Sequence, residues 1–159
     1  MDATEATGHV VLKAKKLDSA RSRLEPRKLE VEVPELNEVM GLEPNETAIV
    51  IVRQLELSEI LKIKVSTLDY ARNLVDGIVE AVADRSQVKA AVTEIWGDMP
   101  PEARERIDVV EMGMIEPKLS RADIIYLSKL FPMVITRLYT KIIDLTTQGA
   151  SLKKNSSSS

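Results

Sequence analysis

The fold is decided by residues 120–145, which read SRADIIYLSKLFPMVITRLYTKIIDL. Apolar residues recur there every three or four positions, which is the spacing of one face of an α-helix. Ser120 and Asp123 match the capping box that begins a helix. Pro132 lacks the backbone donor that a helix interior needs, so the pattern predicts two helices that meet near Leu130. This stretch therefore predicts a mainly α-helical domain.

Further helices are predicted upstream of this stretch. Ser66 and Asp69 form a second capping-box pattern. The apolar stripe that follows it consists of Leu68, Ala71, Val75, Ile78 and Val82. Another helix is predicted over residues 88–96. Pro101 fits the first turn of a helix that Pro117 would end, because proline is tolerated only at a helix start.

Two short strands are predicted before the helices. Residues 29–33 alternate apolar and acidic side chains up to Pro34, which is the pattern of a half-buried strand. Residues 47–53 are apolar and β-branched, and a turn-rich stretch precedes them. The chain is therefore expected to form a compact helical domain with a small N-terminal β-hairpin or strand pair.

Three regions follow from these patterns. Residues 1–28 form a polar N-terminal segment, residues 29–149 form a single mainly helical domain, and residues 150–159 form a disordered polar tail that ends in four serines. The beginning of the sequence carries no secretory signal pattern, and no run approaches the ~18 apolar residues of a membrane span. A cytoplasmic location is therefore expected, and a membrane is not an expected partner.

The composition provides few of the side chains and motifs that enzymes use for catalysis. Among 159 residues there is no cysteine and one histidine, His9, so thiol chemistry and paired-histidine metal sites are excluded. No glycine-rich phosphate-binding loop occurs. We therefore expect a protein that is not an enzyme and uses no cofactor and no metal.

Two charged clusters in the sequence are candidate sites. The carboxylates of Asp98, Glu102, Glu105 and Asp108 could serve a paired-carboxylate hydrolase or hold a hard cation, but interleaved basic residues favour a solvated helix face. The basic residues Arg21, Arg23, Arg27 and Lys28 could contact DNA. The net charge of −3 and the scarcity of aromatic residues argue against nucleic acid as a partner.

The last two predicted helices carry more apolar residues than one buried face requires. Either they are buried on two sides, or they expose a surface that receives a partner helix or a second copy of the chain. The candidate partner-binding residues are Tyr126, Leu130, Met133, Arg137 and Ile143.

Two short motifs resemble those of a known family. The strand Val50–Leu55 has the form V-x-V-R-x-L, and Gly113–Leu119 has the form G-x-x-E-P-x-L before a terminal helix pair. Over about residues 29–147 the chain resembles the tail assembly chaperones of long-tailed bacteriophages. The resemblance implies a non-enzymatic protein of the host cytoplasm that binds the tape-measure protein and helps recruit tail-tube subunits.

The same family suggests a hypothesis about the tail and leaves alternatives open. Many of its members are made in two lengths by a programmed ribosomal frameshift, and Lys153-Lys154-Asn155 can be encoded by a slippery A-rich heptamer. The alternative functions are a structural virion component, such as a head–tail connector or minor capsid protein, and a helical DNA-binding regulator.

Overall fold

The structure of the protein is a computed structural model that describes residues 8–82 and 99–154. Helices predominate in these ranges, and two small antiparallel sheets accompany them. The helices are α1 (Ala14–Arg21), α2 (Leu57–Val82), α3 (Pro101–Gly113), α4 (Arg121–Leu130) and α5 (Pro132–Gln148). The strands are β1 (Leu24–Glu25), β2 (Lys28–Glu32), β3 (Ile49–Arg53), β4 (Met114–Glu116) and β5 (Ser151–Leu152).

The break between α4 and α5 follows the sequence closely. Ser120 caps α4 through a capping box with Asp123, whose backbone N–H lies 3.2 Å from the Ser120 hydroxyl oxygen. Pro132 opens α5, where its missing N–H leaves no hydrogen bond unmade. Gly149 ends α5 with a φ of 75°, a conformation that favours glycine. The predicted capping box, proline break and glycine cap are confirmed.

The predicted strand pair exists and belongs to a larger sheet. β2 and β3 are antiparallel, with Val31 opposite Val50, and both side chains are buried while Glu30 and Glu32 are exposed. β4 adds a third strand next to β3, with a register shift between Ile51 and Val52. The buried face of the sheet packs against α5, which contributes Val134, Ile135, Leu138, Ile142 and Leu145 to the core.

The third strand corrects the expectation that the β element is purely N-terminal. The sequence predicts that the helix beginning at Pro101 continues to Pro117, but α3 ends at Gly113 and residues 114–116 are extended. Their strand character comes from pairing with β3, a partner far away in the chain. Three residues carry too little local pattern to reveal such a pairing.

The capping box predicted at Ser66 is wrong. α2 begins at Leu57, and a Glu59 carboxylate oxygen accepts the backbone N–H of Glu56 at 2.8 Å, at the true start of the helix. No glycine or proline between Leu57 and Ser66 interrupts the helix, so Ser66 lies in its interior. Leu68, which the sequence assigns to the buried stripe, is 66% exposed.

The ends of the domain are also more ordered than predicted. β5 pairs with β1, placing Leu152 opposite Leu24, and the backbone N–H of Lys153 donates to the carbonyl of Arg23 at 2.7 Å. The prediction of a disordered tail from residue 150 is therefore wrong for Ser151 and Leu152. The polar N-terminal segment likewise contains α1 and β1. The helix predicted over residues 88–96 and the tail residues 155–159 lie outside the described residues.

None of the helices in the described part of the chain combines the length and the apolar character that a bilayer crossing requires.

Candidate partner-binding surface

Three of the five predicted partner-binding residues lie exposed at the junction of α4 and α5. Tyr126, Leu130 and Met133 are 63%, 54% and 67% exposed. Tyr126 and Leu130 are four residues apart on α4 and therefore share a face of that helix. Met133 lies in the first turn of α5, directly after the proline break. We call these three residues the corner patch.

An apolar groove opens on a neighbouring face of the same two helices: each corner-patch residue directly follows a groove-lining residue, Ile125, Lys129 or Pro132, and none of the three lines the groove itself. It has a volume of about 460 Å³ and separates the start of α3 from α4 and α5. Its apolar walls are formed by Met99, Pro100, Ala103, Ile107, Ile125, Pro132 and Ile135. The charged residues Glu102, Arg106 and Lys129 also line it. A groove lined by both apolar and charged side chains is the kind of surface that accepts an amphipathic helix.

The other two predicted residues are engaged within the chain. Arg137 makes a two-pronged ion pair with Glu35, with Nη1 2.9 Å from Oε2, and Nη1 also donates to the carbonyl of Glu32 at 3.3 Å. The guanidinium thereby ties α5 to the end of β2. Ile143 is partly buried and packs against the core. Neither residue belongs to the corner patch as the structure places it.

The ion pair of Arg137 makes the stability of the protein depend on pH. Hydrogen bonds from the Arg137 side chain and from the backbone of Glu35 lower the Glu35 pKa from 4.5 to about 2. The stabilisation is complete above the unfolded-state pKa and is lost as pH falls towards 2, because protonation then removes the charge. We expect Glu35→Gln to be less stable than wild type at pH 7, with a difference that shrinks between pH 5 and pH 2.

Urea denaturation of both proteins across this pH range measures the difference. The matched control is Glu38→Gln, which changes an exposed glutamate of the same loop. A Glu35→Gln difference that stayed constant down to pH 2, or that Glu38→Gln reproduced, would contradict the assignment.

The acidic cluster considered as a cation site is used in ion pairs. Glu105 pairs with Lys64 of α2, and Asp108 pairs with Arg121 of α4, while Glu102 is exposed. Asp98 lies outside the described residues. In residues 8–82 and 99–154, no group of three or more histidine, cysteine or acidic side chains could hold a metal ion. Asp108 is 8% exposed, so the expected solvated face is wrong for this residue.

Two of the four basic residues that could contact DNA make contacts within the chain instead. Arg21 lies 3.7 Å from Asp18 within α1, and Arg27 is partly buried beside Gln54, whose side-chain oxygen accepts its backbone N–H at 2.9 Å. Arg23 and Lys28 are exposed, as is the lone histidine, His9.

A second apolar surface was missed by the sequence reasoning. On α2, Leu57, Leu61, Val65 and Leu68 are 70%, 54%, 57% and 66% exposed. We call these four residues the α2 stripe. Their spacing of four, four and three positions places them on one face of the helix. The spacing of these residues is visible in the sequence, but the helix start wrongly predicted at Ser66 falls between Val65 and Leu68 and separates them.

The two motifs that carry the family resemblance meet in the central sheet. Val52 of the first motif is the register partner of Met114, and Ile51 is the register partner of Glu116, both of the second motif. The arginine of the first motif, Arg53, forms a two-pronged ion pair with Glu59 at 2.9 and 2.6 Å. This hydrogen-bonded pair lowers the pKa of Glu59 and raises that of Arg53. The motif residues thus hold the end of β3, the start of α2 and β4 together.

Comparison of the chain with protein-family models, with curated proteins and with solved structures finds no match.

Proposed function

We propose that this protein is a non-enzymatic tail assembly chaperone of a long-tailed bacteriophage. In this proposal the corner patch and the apolar groove bind an amphipathic helical segment of the tape-measure protein, and the complex helps recruit tail-tube subunits. The observation that carries the proposal is that α4 and α5 expose Tyr126, Leu130 and Met133 and also line an apolar groove on a neighbouring face. Exposed apolar surface of this kind typically marks a site of protein interaction.

The physical requirements of such a chaperone agree with this surface. A long helical client with an apolar stripe aggregates unless another surface covers that stripe, and a groove between helices covers it at i, i+3, i+4 and i+7 positions. Tyr126 adds a large rigid side chain with a hydroxyl, a combination that is frequent among residues that dominate binding energy. The tape-measure protein is proposed as the client because the two sheet motifs resemble those of tail assembly chaperones.

The decisive variant is Met133→Asp. Met133 is 67% exposed, so we expect the change to leave the free energy of unfolding within about 0.5 kcal/mol of wild type. A carboxylate buried against an apolar helix without a partner is unfavourable, so capture of the tape-measure protein should weaken by about tenfold or more. Co-expression of the two proteins, followed by affinity capture and a binding isotherm, measures this.

The matched control is Val39→Asp, because Val39 is an apolar residue of nearly equal exposure, 66%, in the loop after β2. Capture by Val39→Asp should equal that of wild type. If Met133→Asp instead unfolds the domain, Met133 is part of the core and the surface assignment is wrong. Capture that both variants reduce equally would also contradict the proposal.

A structural virion component is the second candidate, since an apolar groove could equally seat a permanent neighbour in the particle. The two functions differ in the fate of the protein. A chaperone leaves before the virion matures, whereas a connector or minor capsid protein remains. Mass spectrometry of purified virions separates them: peptides of this chain at stoichiometric amounts would favour the structural component.

A further inference from the structure

The α2 stripe is a second exposed apolar surface, and it lies on a helix that is firmly held on another side. Ile63 of α2 is buried, and α2 packs against α3. The hydroxyl of Tyr70 donates to the carbonyl of Met99 at 2.9 Å, and Lys64 pairs with Glu105. At 100° per residue, Leu61 and Leu68 point about 160° and 140° away from the direction of Ile63. The stripe therefore faces away from the helix that α2 packs on.

The same spacing of apolar residues continues in the sequence of α2. From Leu61 onward, alternating steps of four and three residues give Leu61, Val65, Leu68, Arg72, Val75, Val79 and Val82. Alternating steps of four and three are the repeat of a coiled-coil seam, and these positions span three heptads. The single polar position in the seam is Arg72, which is exposed.

Arg72 decides which partner helix fits. A parallel pairing with a second copy would place Arg72 against Arg72 in the same layer of the seam, which is unfavourable. An antiparallel pairing centred on residue 70 places Arg72 against Leu68 of the second copy and close to its Asp69. The same arrangement brings Lys62 of each copy close to Asp76 of the other. Lys62, Asp69 and Asp76 are all exposed on one flank of the seam.

We propose that the α2 stripe is the interface of a symmetric dimer in which α2 packs antiparallel against α2 of a second copy. The interface is its own complement in the pattern of its seam, because the same seam lies on both helices. In charge, Asp76 meets Lys62 of the other copy, and the two Asp69 carboxylates, which lie near the symmetry axis, are each close to Arg72 of the other copy. This proposal does not depend on the function proposed for the corner patch.

The oligomeric state of the full chain tests the interface. Sedimentation velocity at about 100 µM, where an association of micromolar Kd is nearly saturated, should give twice the mass of the chain. Leu61→Lys should give a monomer with an unchanged far-ultraviolet dichroism spectrum. The matched control is Leu130→Lys, because Leu130 is equally exposed at 54% and lies in the corner patch. This control should remain a dimer.

The two proposals separate in these same variants. Leu61→Lys should lose dimerisation and keep capture of the tape-measure protein, whereas Leu130→Lys should lose capture and keep dimerisation. A wild-type chain that sediments as a monomer, or a dimer that survives Leu61→Lys, would overturn the α2 interface. Either result would leave the function proposed for the corner patch standing.

Cysteine cross-linking tests the antiparallel direction directly. The chain contains no cysteine, so single substitutions report unambiguously. Asp69→Cys should form a disulfide-linked dimer under mild oxidation, because a pairing centred on residue 70 places the two copies of residue 69 within about 3 Å of each other along the helix axis. Leu61→Cys should not, because its counterpart in the second copy lies about 27 Å further along the helix. Rapid cross-linking of Leu61→Cys alone would show a parallel pairing and overturn the proposal.

Discussion

Replacing Ile142 by alanine is expected to lower the free energy of unfolding by about 2–5 kcal/mol, as buried isoleucine truncations do. Ile142 is 0% exposed and lies in α5, where it faces the end of α3. The truncation removes apolar contacts and leaves a cavity that the surrounding helices fill only in part. Urea denaturation followed by dichroism measures the loss, and an unchanged m-value would show that the denatured state is not altered.

The same site makes a sharper prediction through Gly113. A Cβ atom at Gly113 would lie 2.6 Å from Cδ1 of Ile142 and 2.9 Å from both of its Cγ atoms, so the two helices approach too closely for any side chain there. We expect Gly113→Ala to lower stability by about 1–3 kcal/mol through overpacking. In the double variant Gly113→Ala/Ile142→Ala the new methyl group occupies part of the cavity, so the combined loss should be smaller than the sum of the two single losses.

Gly8→Ala is the matched control for the glycine. A Cβ atom at Gly8 would meet nothing within 4 Å, so this variant should stay within about 0.5 kcal/mol of wild type. Strictly additive effects in the double variant would show that the close approach of Gly113 and Ile142 does not limit packing. Gly113 opens the second motif, so the cycle also tests whether that glycine is there for packing.

The sequence predicted those parts of the fold whose signals are local. The capping box at Ser120, the proline break before α5 and the alternation of Val31 with its acidic neighbours each act within a few residues. The parts that it missed depend on partners far along the chain. β4 is a strand because β3 lies beside it, and β5 is a strand because β1 does.

The candidate surface shows the same division. The excess of apolar residues on the last helices was visible in the sequence, and Tyr126, Leu130 and Met133 are exposed. Helical spacing alone could not show that Ile143 packs on the core or that Arg137 would meet Glu35, since that contact joins residues from opposite ends of the domain. The α2 stripe was not predicted for a different reason. A chance capping-box pattern at Ser66 placed the predicted start of the helix after Leu57, Leu61 and Val65.

The remaining large effect is expected at the contact between α3 and α4. Asp108 is 8% exposed, and Nη1 of Arg121 bonds both to its carboxylate and to that of Glu111, the latter at 2.7 Å. Arg121→Ala removes the cation that both carboxylates face and leaves a nearly buried charge. We expect a loss of about 1–3 kcal/mol in the free energy of unfolding, because an unsatisfied buried group bears its full desolvation penalty.

A second substitution and a control separate this penalty from the loss of a simple surface ion pair. Adding Asp108→Ala to Arg121→Ala should recover part of the free energy of unfolding. The second substitution removes the buried carboxylate that Arg121→Ala leaves without a cation. Arg21→Ala, which breaks an ion pair with 82% and 71% exposed side chains, should change stability little. If Arg121→Ala lowered the free energy of unfolding no more than Arg21→Ala does, the contact of Arg121 with Asp108 and Glu111 would not contribute to stability. A larger loss with recovery shows that Arg121 compensates the burial of Asp108 and so fixes the start of α4, the helix that carries Tyr126 and Leu130.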